Sequence, residues 1–548
     1  MEQLRLFIAI VLSLIVFLVW NYFFSGSQAP QPTPQNPKVP VAVKKPAEPQ
    51  APIPAPEPAP AVAETPVPGK ILTIDGPLYS LTINTKGAVI THFKLKHYRV
   101  TVDPKSPEME LISKDNSAGT LQLALGVKGL PELSGAVFSS SLSKEHLVIG
   151  DKDLVVPLVW TSKQGIVVEK RFIFHPHTYL FSLDVSLFNG SGQRISDRAS
   201  LCLKNDAPLK KTRYGFEGPT ALINNRLEEI STDSIHDKPF YTGNISWIAL
   251  QGQYFMTSIL QKGGEDSQLH LALSNQGVPQ VTARWVQPPG TLAPKERKTF
   301  SFDMYFGPKK ISILKTVGNG LDKAVDFGWF GFIARPCLWF MNQIYRVIPN
   351  YGLAIIILTV LIKLLLWPLG QKSYKSMEQM KRMQPLMAEL REKYKDDKKR
   401  MNEEMMGLYR TYKVNPLGGC LPMLAQIPVF FAFYRMLYEA IELRHAPFFG
   451  WINDLSAPDR LFHFGFHIPF MDPPYGIPVL TIIMGATMFI QQKMQPPMGD
   501  PTQAKMMMLM PIVFTVVFVN FSSGLVLYWL VNNIFSILQQ YLVRKKTA

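Results

Sequence analysis

Polar and apolar positions change rhythm several times along this chain of 548 residues. Leu6–Phe24 is a nearly unbroken apolar run, and Tyr351–Gly370 (YGLAIIILTVLIKLLLWPLG) is a second. Four more follow, at roughly Leu417–Tyr438, Gly476–Gln492, Met507–Phe521 and Gly524–Val543. A helix needs ~20 apolar residues to cross a bilayer, so the pattern predicts six spans, the fourth and fifth of them short. Only SSG separates the last two, which predicts a tight hairpin. The first run is too long for the apolar core of a cleavable signal peptide, and SGSQAP after it is a poor cleavage site. Residues 1–24 therefore read as an uncleaved signal anchor.

Between the first two runs the rhythm is different. Ser25–Gly69 carries 14 of the 45 prolines, in stretches such as QAPIPAPEPAP. Such chain favours extended conformations and builds no core, so it reads as a tether. From Lys70 to about Lys310 come short alternating segments, among them YSLTINT, LVVPLVW, GIVVEKRFIF and TYLFSLDVSLF, punctuated by Gly, Pro, Asn and Asp. They predict a large antiparallel β-sandwich, in a domain taken as 70–325. Phe327–Val347 mixes Trp329, Phe332, Trp339 and Phe340 with Arg335 and Arg346. That composition predicts a helix lying in the headgroup region, over 326–350, which Pro336 should break or kink. The last five runs and their connections make a helical membrane core over 351–543, followed by a short basic tail at 544–548. The expected fold is thus multi-domain: a polytopic α-helical membrane core of six spans, five of them clustered, with an all-β domain between the first and second.

Charge orients this arrangement. The net charge is +16, but its distribution matters more. In the short connections one side of the membrane receives 18 Lys and Arg: Arg5, twelve within 371–415, Lys493, Lys505, Arg544, Lys545 and Lys546. The other side receives two, Arg444 and Arg460. The positive-inside rule puts the first set in the cytoplasm. Both termini are then cytoplasmic and the β-domain is outside.

Little here suggests covalent chemistry. Cys202, Cys337 and Cys420 are far apart, which excludes a dense disulfide framework and a thiol metal site. His175/His177 and His463/His467 have no ligand pattern around them, so no metal and no cofactor is expected. There is no P-loop and no nucleophile motif. Asp184, Glu217 and Asp303 read as structural acids.

The candidate chemistry is in the apolar runs. Lys363 is the one charge within Tyr351–Gly370. Gln371 begins eight residues later, ~12 Å along a helix, farther than a lysine stem recovers by snorkelling. Either Lys363 faces a wet, positive hollow inside the bundle, or it snorkels from a helix end. Thr359 lies one turn earlier on the same face. Gln426 sits between Pro422 and Pro428, Asn520 ends the fifth run, and Asn532 and Asn533 lie in the sixth. These groups either line one hydrophilic groove with Lys363 or serve as ordinary interhelical hydrogen bonds. Arg435 and Glu439, one turn apart, are expected to pair. On the cytoplasmic side, residues 371–415 have helical periodicity. Met383, Met387, Leu390 and Tyr394 are mirrored by Met401, Met405, Leu408 and Tyr412 across DDKKR, predicting an amphipathic helical hairpin. The stripes either bury each other or leave methionines free to meet varied apolar segments.

Several stretches carry a resemblance: LTINTKG (81–87), WIALQGQYF (247–255), YKVNPLGGCLPMLAQIPVF (412–430), ELRHAPF (442–448), WINDLS (451–456) and SGLVLYW (523–529). With them the chain resembles the YidC/Oxa/Alb family of membrane protein insertases, in the Gram-negative form with a large periplasmic domain. The resemblance implies a five-helix core with a hydrophilic groove open to cytoplasm and lipid, and a galactose-mutarotase-like β-supersandwich in the periplasm. It implies insertion of nascent client helices, alone or with the Sec translocon. Lys363 stands where the family usually has Arg, so charge is kept and the bidentate fork is lost. Thr359, Gln426, Tyr528 and Trp529 match groove-lining or client-contacting positions, and Met383, Met387, Met401 and Met405 become the expected client-receiving surface. The tail RKKTA is shorter than the ribosome-touching tails of some relatives, and direct nucleic-acid binding is not expected. Two other readings compete: a secondary transporter drawn to an acidic solute by Lys363, and a carbohydrate-active outer domain on a membrane anchor. Paired intramembrane charges and repeated halves, which would favour the transporter, are not seen. Neither is an acid/base pair in the β-domain.

Overall fold

The computed structural model describes residues 69–547 apart from 114, 115, 117, 127–132, 134, 143, 197, 209–214, 263–265, 276, 413–420 and 495–500. The expected anchor over 1–24, and all of the tether except Gly69, lie outside the described residues. Residues 54–496 and 511–548 make up one compact unit, to which the contacts below belong.

Alternation of period two produces the β-domain. Its largest sheet has nine strands, with Ile245–Gln251, Phe255–Gln261, Arg297–Pro308, Leu180–Asn189 and Ile166–Phe174 side by side in its middle. Two five-stranded sheets accompany it: one is built on Tyr79–Asn84 and Val89–Arg99, the other on Ala199–Asp206 and Gln280–Val286. Phe93, Phe172, Phe174, Phe181 and Phe306 are fully buried, with Phe93 and Phe306 meeting edge to face at 5.3 Å. Such aromatic pairs add to the area they remove from water. Two of the acids read as structural are bonded: Asp184 accepts from Ser301 Oγ at 2.6 Å, and Asp303 pairs with Lys262 at 2.8 Å.

One inward position breaks the apolar rule. In Ile166–Phe174 the residues facing the core are Ile166, Val168, Lys170, Phe172 and Phe174. Lys170 is wholly buried, and Nζ donates to Ala88 O at 2.5 Å and Leu121 O at 2.9 Å. Ala88 and Leu121 both have positive φ (47° and 63°), a conformation non-glycine residues adopt rarely. The ammonium thus satisfies two carbonyls on strained backbone.

The helical region starts with α1 (Ile311–Val317) and α2 (Gly331–Val347). In α2, Ala334, Cys337, Leu338 and Met341 recur at helical spacing and are buried. Phe332, Trp339 and Phe340 are exposed on the other face, and Trp329, just before the helix, is 91% exposed. Pro336 does not break α2. The helix runs on through it to Val347, lacking only the N–H that would have bonded to Phe332 O.

Tyr351–Gly370 departs from expectation. It is not one helix: α3 (Tyr351–Leu365) and α4 (Trp367–Arg382) meet at a 64° bend. Pro368 is the cause, because it has no N–H for the preceding turn and its ring clashes there. Asn350 caps α3, its side chain accepting from Leu353 N at 3.0 Å. The stripe within residues 371–415 is broken as well. Pro385 starts α5 (Gln384–Lys393), and α6 (Lys398–Thr411) begins inside DDKKR, with Asp397 as its cap. Only the stretch before Lys398 is a turn, so KKR is helical rather than part of the expected loop.

Four helices complete the chain: α7 (Leu421–Glu439), α8 (Val479–Met494), α9 (Pro501–Phe518) and α10 (Ser523–Thr547). Among the described residues no single helix is long and apolar enough to cross a membrane, and the bent pair α3–α4 passes that test jointly. Gly485 in α8 shows how tightly the helices pack, since a Cβ there would lie 2.1 Å from Thr515 Oγ1.

The end of α7 meets the β-domain through charge. Glu439 Oε2 lies 3.4 Å from Lys309 Nζ, both side chains being almost fully buried. The expected partner of Glu439 was Arg435. The carboxylate takes Lys309, which follows the long strand Arg297–Pro308, and Arg435 adds attraction from nearby. Gln253 donates to Tyr438 O at 2.9 Å, and Arg444 donates to Arg99 O at 2.6 Å.

Burial lowers the Lys170 pKa to about 7. Above that pH the folded protein binds fewer protons than the unfolded chain, in which the lysine keeps its ordinary value. Stability should therefore rise from about pH 7 toward the ordinary lysine range. Lys170→Met should flatten this slope and cost roughly 1–3 kcal/mol by leaving the Ala88 and Leu121 carbonyls without donors. Thermal unfolding of the full chain across pH checks both effects.

Candidate functional site

Lys363 occupies the last turn of α3. The bend after Leu365 brings that helix end nearer than a straight span would, so the ~12 Å depth inferred from Gln371 does not apply. The side chain does not run free into solvent. Nζ donates to Ser536 Oγ on α10 at 2.9 Å and to Gln426 Oε1 on α7 at 3.4 Å. Gln426 Nε2 in turn donates to Asn532 Oδ1, and Ser536 Oγ donates to Asn532 O at 2.8 Å. Three helices are joined around one ammonium by neutral oxygen atoms. Among the described residues no carboxylate lies within 4.0 Å of Nζ.

The spacing on α10 explains the cluster. Asn532, Ser536, Gln539 and Gln540 recur at four, three and one residues, so they share one side of the helix, and all four are buried. Gln539 donates to Trp367 O at 2.9 Å, just past the bend, and Gln540 donates to Met494 O at 2.8 Å. Gly370 leaves room there, since a Cβ would lie 2.6 Å from Gln539 Nε2. Sequence reading singled out Asn532 and Asn533 but missed Ser536, Gln539 and Gln540. The signal was their helical spacing from Asn532.

The other expected site residues divide. Gln426 joins Lys363. Thr359 does not: it is buried, and its hydroxyl donates to Ile355 O of its own helix at 2.6 Å. Tyr528 is buried against Phe433, with ring centroids 4.6 Å apart. Trp529 is only partly buried and stands edge-on to Phe430 of α7 at 4.7 Å and to Phe518 of α9 at 5.0 Å. An aromatic seam therefore runs between α7 and α9. Asn533 donates to Thr487 Oγ1 at 3.3 Å, and Asn520 belongs to a different cluster with Arg460. In the helices within 371–415 Met383 and Met387 are buried, Met401 and Met405 are half-buried, and Tyr409 OH contacts Met387 Sδ at 3.9 Å. Met406 is the exposed methionine of that pair of helices. A cavity of about 470 Å³ lies elsewhere, where the β-domain meets Arg444, walled by residues that include Glu217, Gln251 and Tyr254.

Comparison with known proteins adds the family. Residues 71–340 match the family described as YidC periplasmic domain, and residues 343–548 match the 60Kd inner membrane protein family. A membrane protein insertase YidC of Syntrophobacter fumaroxidans is 42% identical over 557 aligned positions, covering 99% of both chains. The chain belongs to the YidC family of membrane protein insertases. The YidC of Syntrophus aciditrophicus is 39% identical, over 98% of this chain and 99% of that one. Among solved structures, an active YidC insertase with its first transmembrane domain resolved aligns with 17% identity and a TM-score of 0.37, over 86% of this chain and 95% of that one. A galactose mutarotase related enzyme from Lactobacillus acidophilus aligns over 43% of this chain and 97% of its own, with 10% identity and a TM-score of 0.33. YidC relatives are inner-membrane proteins with a periplasmic domain, and the family is one of insertases rather than enzymes.

If the ammonium is what requires these polar partners, Gln426→Leu and Ser536→Ala should each cost roughly 1–3 kcal/mol alone. Both should cost much less in a Lys363→Met background. Thermal unfolding in detergent of the single, double and triple variants measures that coupling.

Proposed function

We propose that this chain inserts client transmembrane segments into the cytoplasmic membrane by drawing an acidic client flank to Lys363 and releasing the apolar segment past Trp529 into lipid. The observation that carries the reading is the lysine: a cation held by neutral groups on three helices, with no resident carboxylate among the described residues. Charge interactions strengthen away from bulk water, so an uncompensated ammonium attracts an incoming carboxylate. Polar groups around it let a short hydrophilic flank enter without full dehydration. The seam between α7 and α9 is a path to lipid, and burying ~20 apolar residues in hydrocarbon supplies the driving force.

The finer arrangement belongs to the same proposal. Six spans place both termini in the cytoplasm and residues 70–325 outside, on the strength of the 18-to-2 charge asymmetry. The anchor is 1–24, the tether 25–69, the interfacial helix 326–350, and the five-span core 351–543, with a tail at 544–548. The helices within 371–415 receive clients first. Because Met383 and Met387 are buried, reception requires their arms to separate, and the flexibility of methionine suits varied partners. The Sec translocon is a partner for some clients, and the ribosome is a further candidate partner.

Two outcomes are expected. Gln426→Glu would give Lys363 a resident carboxylate, and Lys363→Ala would remove the charge. Both should slow clients with acidic flanks several-fold and neutral-flank clients much less, while Lys363→Arg should keep activity, in Sec-free liposomes with a short single-span client. Equal insertion of every client by Lys363→Ala would refute the capture mechanism. For topology, Lys398→Cys should resist an impermeant thiol reagent in intact spheroplasts and Ser456→Cys should react. The reverse pattern would overturn the orientation.

A further inference from the structure

Residues 461–471, LFHFGFHIPFM, contain no Lys, Arg, Asp or Glu. They form the first strand and the tip of a small hairpin in which Leu461–Phe464 pairs with Tyr475–Ile477. A water-facing hairpin of this length normally carries charge on its open face. Here Phe462, Phe466 and Phe470 are 66%, 63% and 82% exposed, and Phe464 stacks on Phe466 at 5.3 Å. Phe462 and Phe470 also hold positive φ (58° and 63°), which bulky residues adopt only under strain. Strain that keeps aromatic rings outside the protein calls for something that covers them.

The base of the hairpin fixes its position. Arg460 is buried, and its guanidinium donates to Pro474 O at 2.9 Å, Val519 O at 2.8 Å and Asn520 Oδ1 at 3.2 Å. Asn520 closes the tip, donating to Phe470 O at 3.0 Å and accepting from Asp472 N at 2.8 Å. Asp459 Oδ2 accepts from Leu480 N at 2.5 Å, at the start of α8. The hairpin is therefore bolted to the end of α9 and the beginning of α8. Both helices expose apolar side chains along their length, Ile482 and Ile483 on α8 and Ile512, Val513 and Val516 on α9. The aromatic tip continues those apolar faces at the level where the helices end, and aromatic residues are enriched at that level of a bilayer.

We infer that the hairpin is a lipid-seated wedge, with Phe462, Phe466 and Phe470 resting in the headgroup–acyl boundary of the outer leaflet beside α8 and α9. The inference rests on the membrane-core reading above. Lipid is the occupant because the tip is uncharged, is continuous with the apolar helix faces and is anchored at helix ends. A protein partner or a second copy of the chain would contradict it.

The test uses the full chain in liposomes, with the native cysteines replaced by serine and one nitroxide label introduced by Phe462→Cys, Phe466→Cys or Phe470→Cys. If that background does not fold, only Cys420 is replaced, because Cys202 and Cys337 are buried. Ile512→Cys serves as the lipid reference and Val148→Cys, exposed on the β-domain, as the water reference. Collision rates with oxygen and with a water-soluble nickel chelate are compared. The expected result is oxygen favoured several-fold at all three hairpin sites, as at position 512, and the chelate favoured at 148. A chelate-favoured ratio at the hairpin with 512 still in lipid would overturn the wedge alone. Low collision with both reagents at the hairpin would assign it to a protein partner and also overturn it. A chelate-favoured ratio at 512 would overturn the membrane core and the wedge together.

Discussion

One ammonium in an apolar helix sets the terms for the bundle around it. Leaving Lys363 of α3 unsolvated would cost several kcal/mol, so α7 and α10 must bring oxygen atoms to it. Gln426 and Ser536 do so, and Asn532 holds Gln426 in place. Neutral partners satisfy the hydrogen bonds of the ammonium without cancelling its charge. The proposed attraction of an incoming acid rests on that difference from an ion pair. The pair Lys309–Glu439 shows the contrary case in the same molecule: a buried cation beside a carboxylate, fastening α7 to the β-domain.

The rest of the helical architecture can be understood as support for this arrangement. The bend between α3 and α4 ends the helix just after Lys363, so the charge lies at a helix end without leaving its polar neighbours. Gly370 lets Gln539 reach the backbone at the bend. Trp529, on the same helix as Asn532 and Ser536, faces the seam between α7 and α9, so the polar and aromatic surfaces share one element. In the β-domain Lys170 plays a static role, its carbonyl partners being fixed backbone.

Much of this was legible in the sequence, for identifiable reasons. Alternation of period two marks strands without ambiguity over segments as long as Ile166–Phe174, and a charge in an apolar run is conspicuous, which is why Lys363 and Gln426 stood out. Thr359 stands apart from the Lys363 cluster because a helical threonine can turn back to its own helix, as its bond to Ile355 O shows. Ser536, Gln539 and Gln540 were missed because polar residues near a helix end also suit water, and only packing tells the two apart. The breaks at Pro368 and Pro385 were readable in principle, but hydropathy counts residues and ignores lost hydrogen bonds. Lys309 as a partner of Glu439 was out of reach, because it is 130 residues away and nothing local announces it.

The central claim is that the charge of Lys363 acts on the client directly. A charge-swap cycle tests it most directly: Lys363→Glu against a client whose acidic flank has been replaced by lysines, each alone and both together, with insertion rates measured in Sec-free liposomes. The account predicts that each single swap slows insertion and that the double swap recovers most of the lost rate. Rates that simply multiply, with no recovery in the double swap, would contradict it.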